Sequence, residues 1–191
     1  SAASDVYKRQ PIDWASKEAE MKGKRIDAIW NCFTVNPERA EVYQLSKPYM
    51  KNAQLIVVPA NSSINKIADL AGKVVAVQDD STGSYIIDGN DEMRNSLKEY
   101  RKYPDFAAVY MDIDSGRVEA AVVDAVLARY YDSKNPGKYR ILEENLGDEV
   151  VAVGFRKDDK DYAPLIDKAL DEMKKDGTAK KISEQWFNAD L

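Results

Sequence analysis

The chain has 191 residues, 44% of them hydrophobic and 32% charged, the balance of a globular protein rather than a disordered or collagen-like one. Its 28 Lys and Arg stand against 33 Asp and Glu, a net charge of −5, so the basic footprint of a nucleic-acid binder is missing. With no His and the single cysteine Cys32, the composition excludes His-based triads, His general bases, histidine-ligated zinc, an internal disulfide and a cysteine metal cluster.

The longest apolar run, Phe106–Met111, is far shorter than the ~18 residues of a membrane span. Ser1–Gln10 follows neither a helix nor a strand period and shows no leader-like apolar segment, so a non-native tail and a leader removed or unrecorded are the expectations there. Beyond it, β-branched runs alternate with amphipathic stretches, which predicts an α/β protein with mixed, mostly parallel sheets. In chain order the predicted elements are a helix over Ala15–Lys24, a strand over Ile26–Trp30, and a helix over Pro37–Tyr43. A strand over Gln54–Val58, a helix over Ile64–Leu70 ended by Gly72, and a strand over Lys73–Gln78 follow. Helices are then expected over Ser84–Ile87, Glu92–Arg101 and Phe106–Ser115, a strand over Val118–Val123, and a helix over Ala125–Asp132. Strands over Arg140–Leu142 and Val150–Phe155 precede helices over Ala163–Lys175 and Ala179–Phe187, which Asp176-Gly177 separates. No low-complexity linker appears, so any lobe boundary must be made by strands that cross between lobes.

Four places along this pattern carry chemistry. Asn36-Pro37-Glu38 is a helix-start signature, which puts Arg39 in the first turn, where a cation opposes the helix dipole unless an anion shares the site. A solvated pair with Glu38 or Glu41 is the alternative. The strand ending at Gln78 runs into Ser81-Thr82-Gly83-Ser84 and a helix, a place for an anion or simply a helix cap; the spacing is not that of a P-loop. Asp124 closes an apolar strand just before a helix, placed either to meet a cation or to cap. Trp14 is either a core residue or a flat platform for a ligand.

In order along the chain, Ile12-Asp13-Trp14, Ile26 to Thr34 with Pro37-Glu38-Arg39, Ser46-Lys47-Pro48-Tyr49, Ala68 to Lys73 with Ser81-Thr82, Ser115 to Ala120 with Asp124, Lys175 to Thr178 and Gln185-Trp186-Phe187 form an ordered series. The series resembles the polar amino-acid-binding proteins of bacterial ABC importers, solute-binding protein family 3, from Pro11 to Leu191. The resemblance implies a type II periplasmic-binding-protein-like fold. Residues 11–50 and 151–191 would form lobe one and 51–150 lobe two, joined by two crossover strands near Pro48–Gln54 and Gly147–Val151. It implies a free amino acid in the cleft, with Arg39 forking the α-carboxylate, helped by Thr34 and the Ser81/Thr82 helix start. Asp124 would meet the α-ammonium with Thr34 and the backbone at Cys32, and Trp14 would support the aliphatic part. The implied role is an extracytoplasmic receptor that delivers its ligand to permease subunits. It would have no cofactor or metal, and would meet the membrane only through the permease or a lost lipid anchor.

Three departures stand out. The family's opening strand and first helix are absent before Pro11, so a fragment of a longer protein is expected. Cys32 replaces a common glycine and either narrows the cleft or packs as a small hydrophobe; Asp80 replaces another, as a solvated turn acid or a negative rim favouring cationic side chains. Dehydratases of cyclic amino-acid precursors also resemble this fold, but they need a further cleft acid of raised pKa that the pattern does not reveal. A sensor domain fused to a downstream enzyme is disfavoured, because the family also ends near Phe187.

Overall fold

The computed structural model describes residues 8–187, so most of the Ser1–Gln10 segment and positions 188–191 lie outside the described residues. A 3-10 turn at Trp14–Ser16 leads into α1 (Lys17–Lys22), β1 (Ala28–Ile29), α2 (Pro37–Val42), β2 (Tyr43–Leu45) and β3 (Met50–Pro59). A second 3-10 turn, Ile67–Leu70, precedes β4 (Val74–Gln78), α3 (Thr82–Asp88), α4 (Asp91–Ser96), β5 (Glu99–Tyr103), α5 (Phe106–Asp114), β6 (Ala120–Asp124) and α6 (Ala125–Lys134). The chain then runs through β7 (Tyr139–Val151), β8 (Gly154–Arg156), α7 (Tyr162–Lys175) and α8 (Thr178–Phe187). No helix among the described residues is long and apolar enough to cross a membrane.

The strands form two sheets, one of order β1-β8-β2 and one of order β5-β4-β6-β3-β7. In the larger sheet β4 runs parallel to β5 and β6, whereas β3 pairs antiparallel with β6 and β7; the smaller sheet is antiparallel. The apolar strands of the larger sheet are unbroken because both of its faces are covered. Leu55, Val57, Ala76, Ala121 and Val123 pack against Val109, Tyr110 and Ile113 of α5 and Ala128 of α6 on one face. Their neighbours Ile56, Val58, Val75, Val77 and Val122 pack on the other with Ile64, Leu70 and Ile87. Successive strand side chains point to opposite faces, so one run of sequence feeds two cores.

Several expectations are corrected at element ends. The helix expected over Glu92–Arg101 stops at Ser96; Leu97 takes an extended conformation and Glu99–Tyr103 pairs in parallel along β4. The Lys and Arg of this segment suit an edge strand, where charge discourages further pairing. The helix expected to reach Tyr43 gives way there to β2, and the Ile64–Leu70 helix is only the short 3-10 turn. The strand expected over Val150–Phe155 is divided between β7 and β8, because Ala152 bonds Phe33 O and Val153 bonds the Ser46 hydroxyl instead of a neighbouring strand.

The ends of β3 and β7 lie where the two sheets meet. Tyr49 N–H donates to Val151 O at 3.0 Å, Val35 N–H to Val150 O at 2.9 Å, and Thr34 bridges Val151. Beside this junction Phe33 is fully buried, edge-on to Tyr43 at 5.1 Å and to Trp14 at 6.1 Å. Gly154 makes room for it, since a Cβ there would lie 2.7 Å from Phe33 Cε1. Gly154→Ala is therefore expected to destabilise the fold by ~1–3 kcal/mol through overpacking. Urea unfolding checks this, and an unchanged midpoint would mean that the ring has room to move.

Candidate functional site

The helix-start signature at Asn36 forms as predicted: its side chain accepts from Arg39 N–H at 2.8 Å and Pro37 opens α2. This turns Arg39 inward rather than toward Glu38 or Glu41. Arg39 is only 5% exposed, and its guanidinium lies 4.4 Å from the Phe33 ring centre and donates from Nη1 to Thr34 O at 2.9 Å. Its Nη2 is buried with no hydrogen-bond partner. Burial opposes the charge on Arg39, while the surrounding Glu149, Asp124 and Asp80 carboxylates favour it. A buried guanidinium carrying a free donor is costly unless an acceptor arrives.

Asp124 sits at the N-cap position of α6, yet its side chain makes no capping bond. Its Oδ1 instead accepts from Asn52 Nδ2 and Gln54 Nε2, each at 2.8 Å. Burial, with the nearby negative Glu149, pushes its carboxyl up to about 6, against the pull of the two amides and Arg39. The register explains the cluster. Gln54 of β3 lies opposite Asp124 of β6, and Asn52 opposite Glu149 of β7, so a central strand presents two amides between two acids. Glu149 Oε2 accepts from Thr34 Oγ1 at 2.7 Å, Asn52 Nδ2 at 3.0 Å and Gln54 Nε2 at 3.3 Å.

A cavity of about 500 Å³ brings together Trp14, Cys32, Arg39, Ser81, Thr82 and Asp124. Asp105, Phe106, Tyr130 and Tyr131 also line it. Thr34, the remaining predicted site residue, does not line this cavity; it is buried, its carbonyl accepting from Arg39 and its hydroxyl donating to Glu149. Ser81 is committed to capping α3: its hydroxyl donates to Gln78 O at 2.7 Å and accepts from Ser84 N–H at 3.1 Å. Cys32 lies beside the acids, and burial with their charge pushes its thiol up to about 12, which keeps it protonated.

Trp14 packs with Met21, Ile29, Phe33 and Tyr43 and also lines the cavity. Its Nε1 donates to Asp80 O at 3.1 Å. Asp80 is neither a solvated turn acid nor an open negative rim. Its carboxylate is ion-paired with Lys17, which is only 4% exposed, and accepts from the Tyr85 hydroxyl. Burial lowers the Lys17 pKa, with Asp80 pulling it back up. These contacts join α1, beside the smaller sheet, to the turn after β4 in the larger one, and they hold Asp80 at a φ of 54° despite its Cβ. The free negative charge that would have favoured a cationic side chain is thereby neutralised.

Asn52, Gln54 and Glu149 are the site residues that sequence reasoning missed. Asn52 and Gln54 carried a signal, because two amides at a two-residue spacing run into the apolar stretch Leu55–Val58, and both are buried. Glu149 carried none, since its neighbours are set by pairing across 97 residues.

The L-cystine-binding protein TcyJ of Escherichia coli (strain K12) is 31% identical over 186 residues, covering 95% of this chain and 68% of that protein. The histidine-binding periplasmic protein of Salmonella typhimurium (strain LT2) is 28% identical over 179 residues, covering 90% and 68%. Among solved structures, an ABC uptake transporter substrate-binding protein from Streptococcus pneumoniae with bound histidine superposes with a TM-score of 0.89 at 35% identity, covering 95% of this chain and 76% of that one. An ancestral arginine-binding protein bound to glutamine superposes with a TM-score of 0.84 at 33% identity, covering 94% and 79%. The family profile of the bacterial extracellular solute-binding proteins, family 3, matches residues 5–189, and with these likenesses in fold and sequence the chain belongs to that family.

Proposed function

We propose that this solute-binding protein grips a free polar amino acid by its two charged ends and delivers it, outside the cytoplasm, to the permease of an ABC importer. The observation that carries this reading is the unpartnered Nη2 of buried Arg39, on the cavity that Asp124 also lines. A zwitterion entering a closed cleft loses water from both charges and needs an opposite charge at each end. Arg39 answers the carboxylate, for which a planar fork suits better than a lysine, and Asp124 answers the ammonium. Trp14 offers an apolar wall, and Thr34, Thr82, Ser81 and the backbone at Cys32 complete the surroundings.

Among the described residues the two lobes are 11–50 with 151–187 on the smaller sheet and 51–150 on the larger, joined by β3 and β7. Arg39 and Asp124 then come from different lobes, so one ligand bonded to both stabilises the closed arrangement, which the permease reads as shape. Cystine, histidine and glutamine in the relatives share the two charged ends and differ in the side chain. No step of this role requires bond making, and a dehydratase reading draws no support from these relatives. Thermal melts with L-arginine, L-histidine, L-glutamine and L-cystine test the proposal. A bound amino acid is expected to raise the melting temperature by mass action, and no shift with any of the four at millimolar concentration would count against it.

A further inference from the structure

We infer that Glu149 is a positioning residue of the amine end of this site, orienting its donors so that only acceptors face the ligand and linking amine binding to the protonation of Asp124. The inference rests on the amino-acid-receptor reading above. Its warrant is a count of protons. Thr34 has one hydroxyl proton, and it goes to Glu149 Oε2 at 2.7 Å. The Asn52 amide nitrogen donates to Asp124 and to Glu149, and so does that of Gln54. The two carboxylates fix the orientation of both amides, because the flipped amides would set oxygen against oxygen. Every donor in the cluster is thus spent on an acid. The acceptors that remain are the second Asp124 oxygen, on a residue that lines the cavity, and, among residues off its wall, the Thr34 hydroxyl lone pair and the unpartnered Asn52 Oδ1 and Glu149 Oε1, an arrangement that favours an ammonium and repels a second carboxylate.

Glu149 also adds a charge that the ligand does not balance. Arg39, Asp124 and Glu149 sum to one negative charge, and a zwitterion leaves that sum unchanged. The charged and titratable groups around Asp124 include Glu149 from β7, Arg39 from α2 and the neutral Cys32 thiol from the turn after β1, with Asp105 before α5 and Tyr130 and Tyr131 of α6 on the same cavity. Glu149 Oε1 is itself buried without a partner. Burial and the like charge of Glu149 favour a proton on Asp124, which an incoming ammonium must displace.

The test is calorimetric titration of the full chain with L-arginine and L-glutamine, whose side chains do not change charge between pH 4.5 and pH 8. Wild-type affinity is expected to be flat above about pH 7 and to fall by up to tenfold per pH unit at the acid end. Glu149→Gln should bind about tenfold more weakly at pH 8, and its acid loss should begin about one pH unit lower, because the like charge beside Asp124 is gone. Glu149→Asp, which keeps the charge, should restore the wild-type midpoint. A Glu149→Gln profile parallel to the wild type overturns the inference, since a purely structural role would weaken binding equally at every pH. Thr34→Val removes the oriented hydroxyl and leaves both acids, so it should cost about tenfold in affinity with an unmoved midpoint. It decides the matter if the Glu149 variants fail to fold, and unchanged affinity in Thr34→Val overturns the inference. Arg39→Ala separates the two levels of the argument. If it binds as the wild type does, the receptor reading itself fails; if it loses binding while Glu149→Gln stays parallel, only the present inference does.

Discussion

Arg39→Ala is expected to weaken amino-acid binding by roughly 150- to 5000-fold, the equivalent of ~3–5 kcal/mol for leaving a desolvated carboxylate without its partner. The same substitution should leave the ligand-free protein nearly as stable as before. The guanidinium contributes its bond to Thr34 O and its contact with the Phe33 ring, but it is also buried with one nitrogen unpartnered, and the gain and the cost offset each other. Arg39→Lys should recover only part of the affinity, because a single ammonium cannot bond Thr34 O and both oxygens of a planar carboxylate together. Calorimetry and thermal melts on the same samples check both halves. A loss below tenfold, or a collapse of the ligand-free melting temperature, would show that Arg39 is a structural residue.

Asp124→Asn is expected to cost roughly 30- to 1000-fold in affinity, about 2–4 kcal/mol for a buried charge pair deprived of its negative member. Its effect on stability should have the opposite sign. The folded-state pKa of Asp124, at about 6, lies above the ordinary aspartate value, so the folded chain binds this proton more tightly than the unfolded chain does. Ionising it as the pH rises from about 4 to beyond 6 therefore removes stability, and an asparagine never ionises. The ligand-free variant should melt higher than the wild type at pH 7.5, with the advantage shrinking as the pH falls through 6 toward 4. Melting curves across that range provide the check; a variant that is less stable at pH 7.5 would mean that the carboxylate is needed to hold the Asn52 and Gln54 amides in place. The pairing of lower affinity with higher stability is what a site carrying unbalanced charge for its ligand should show.

The unbroken apolar runs within β3, β4 and β6 were legible because burial on both faces selects apolar side chains along the run, whichever neighbours the strand acquires. Asn36-Pro37 announced α2 and so the turn of Arg39 by local bonding alone. Glu99–Tyr103 was not legible as a strand, since an edge strand of charged and aromatic residues satisfies a helical period equally well, and only the presence of β4 beside it decides the pairing. Tyr43–Leu45 failed for the same reason: its three residues become a strand through β8, more than 100 positions away.

Sequence by itself determined the chemistry available to this protein: a chain without histidine, an arginine delivered by a capped helix, an aspartate at the end of a buried strand, and the ordered motifs of its family. Those features are local, set by propensity, capping and the two-residue period of a strand. The tertiary structure decided what each group meets. It placed Asp124 among two amides and a second acid instead of at a helix cap, turned Asp80 from a turn residue into the partner of a buried lysine, and committed the Ser81 hydroxyl to its own helix. The physical reason is that charge and hydrogen-bond energies depend on the neighbours and the solvent that folding supplies or removes, and neither is written at the position of the residue itself.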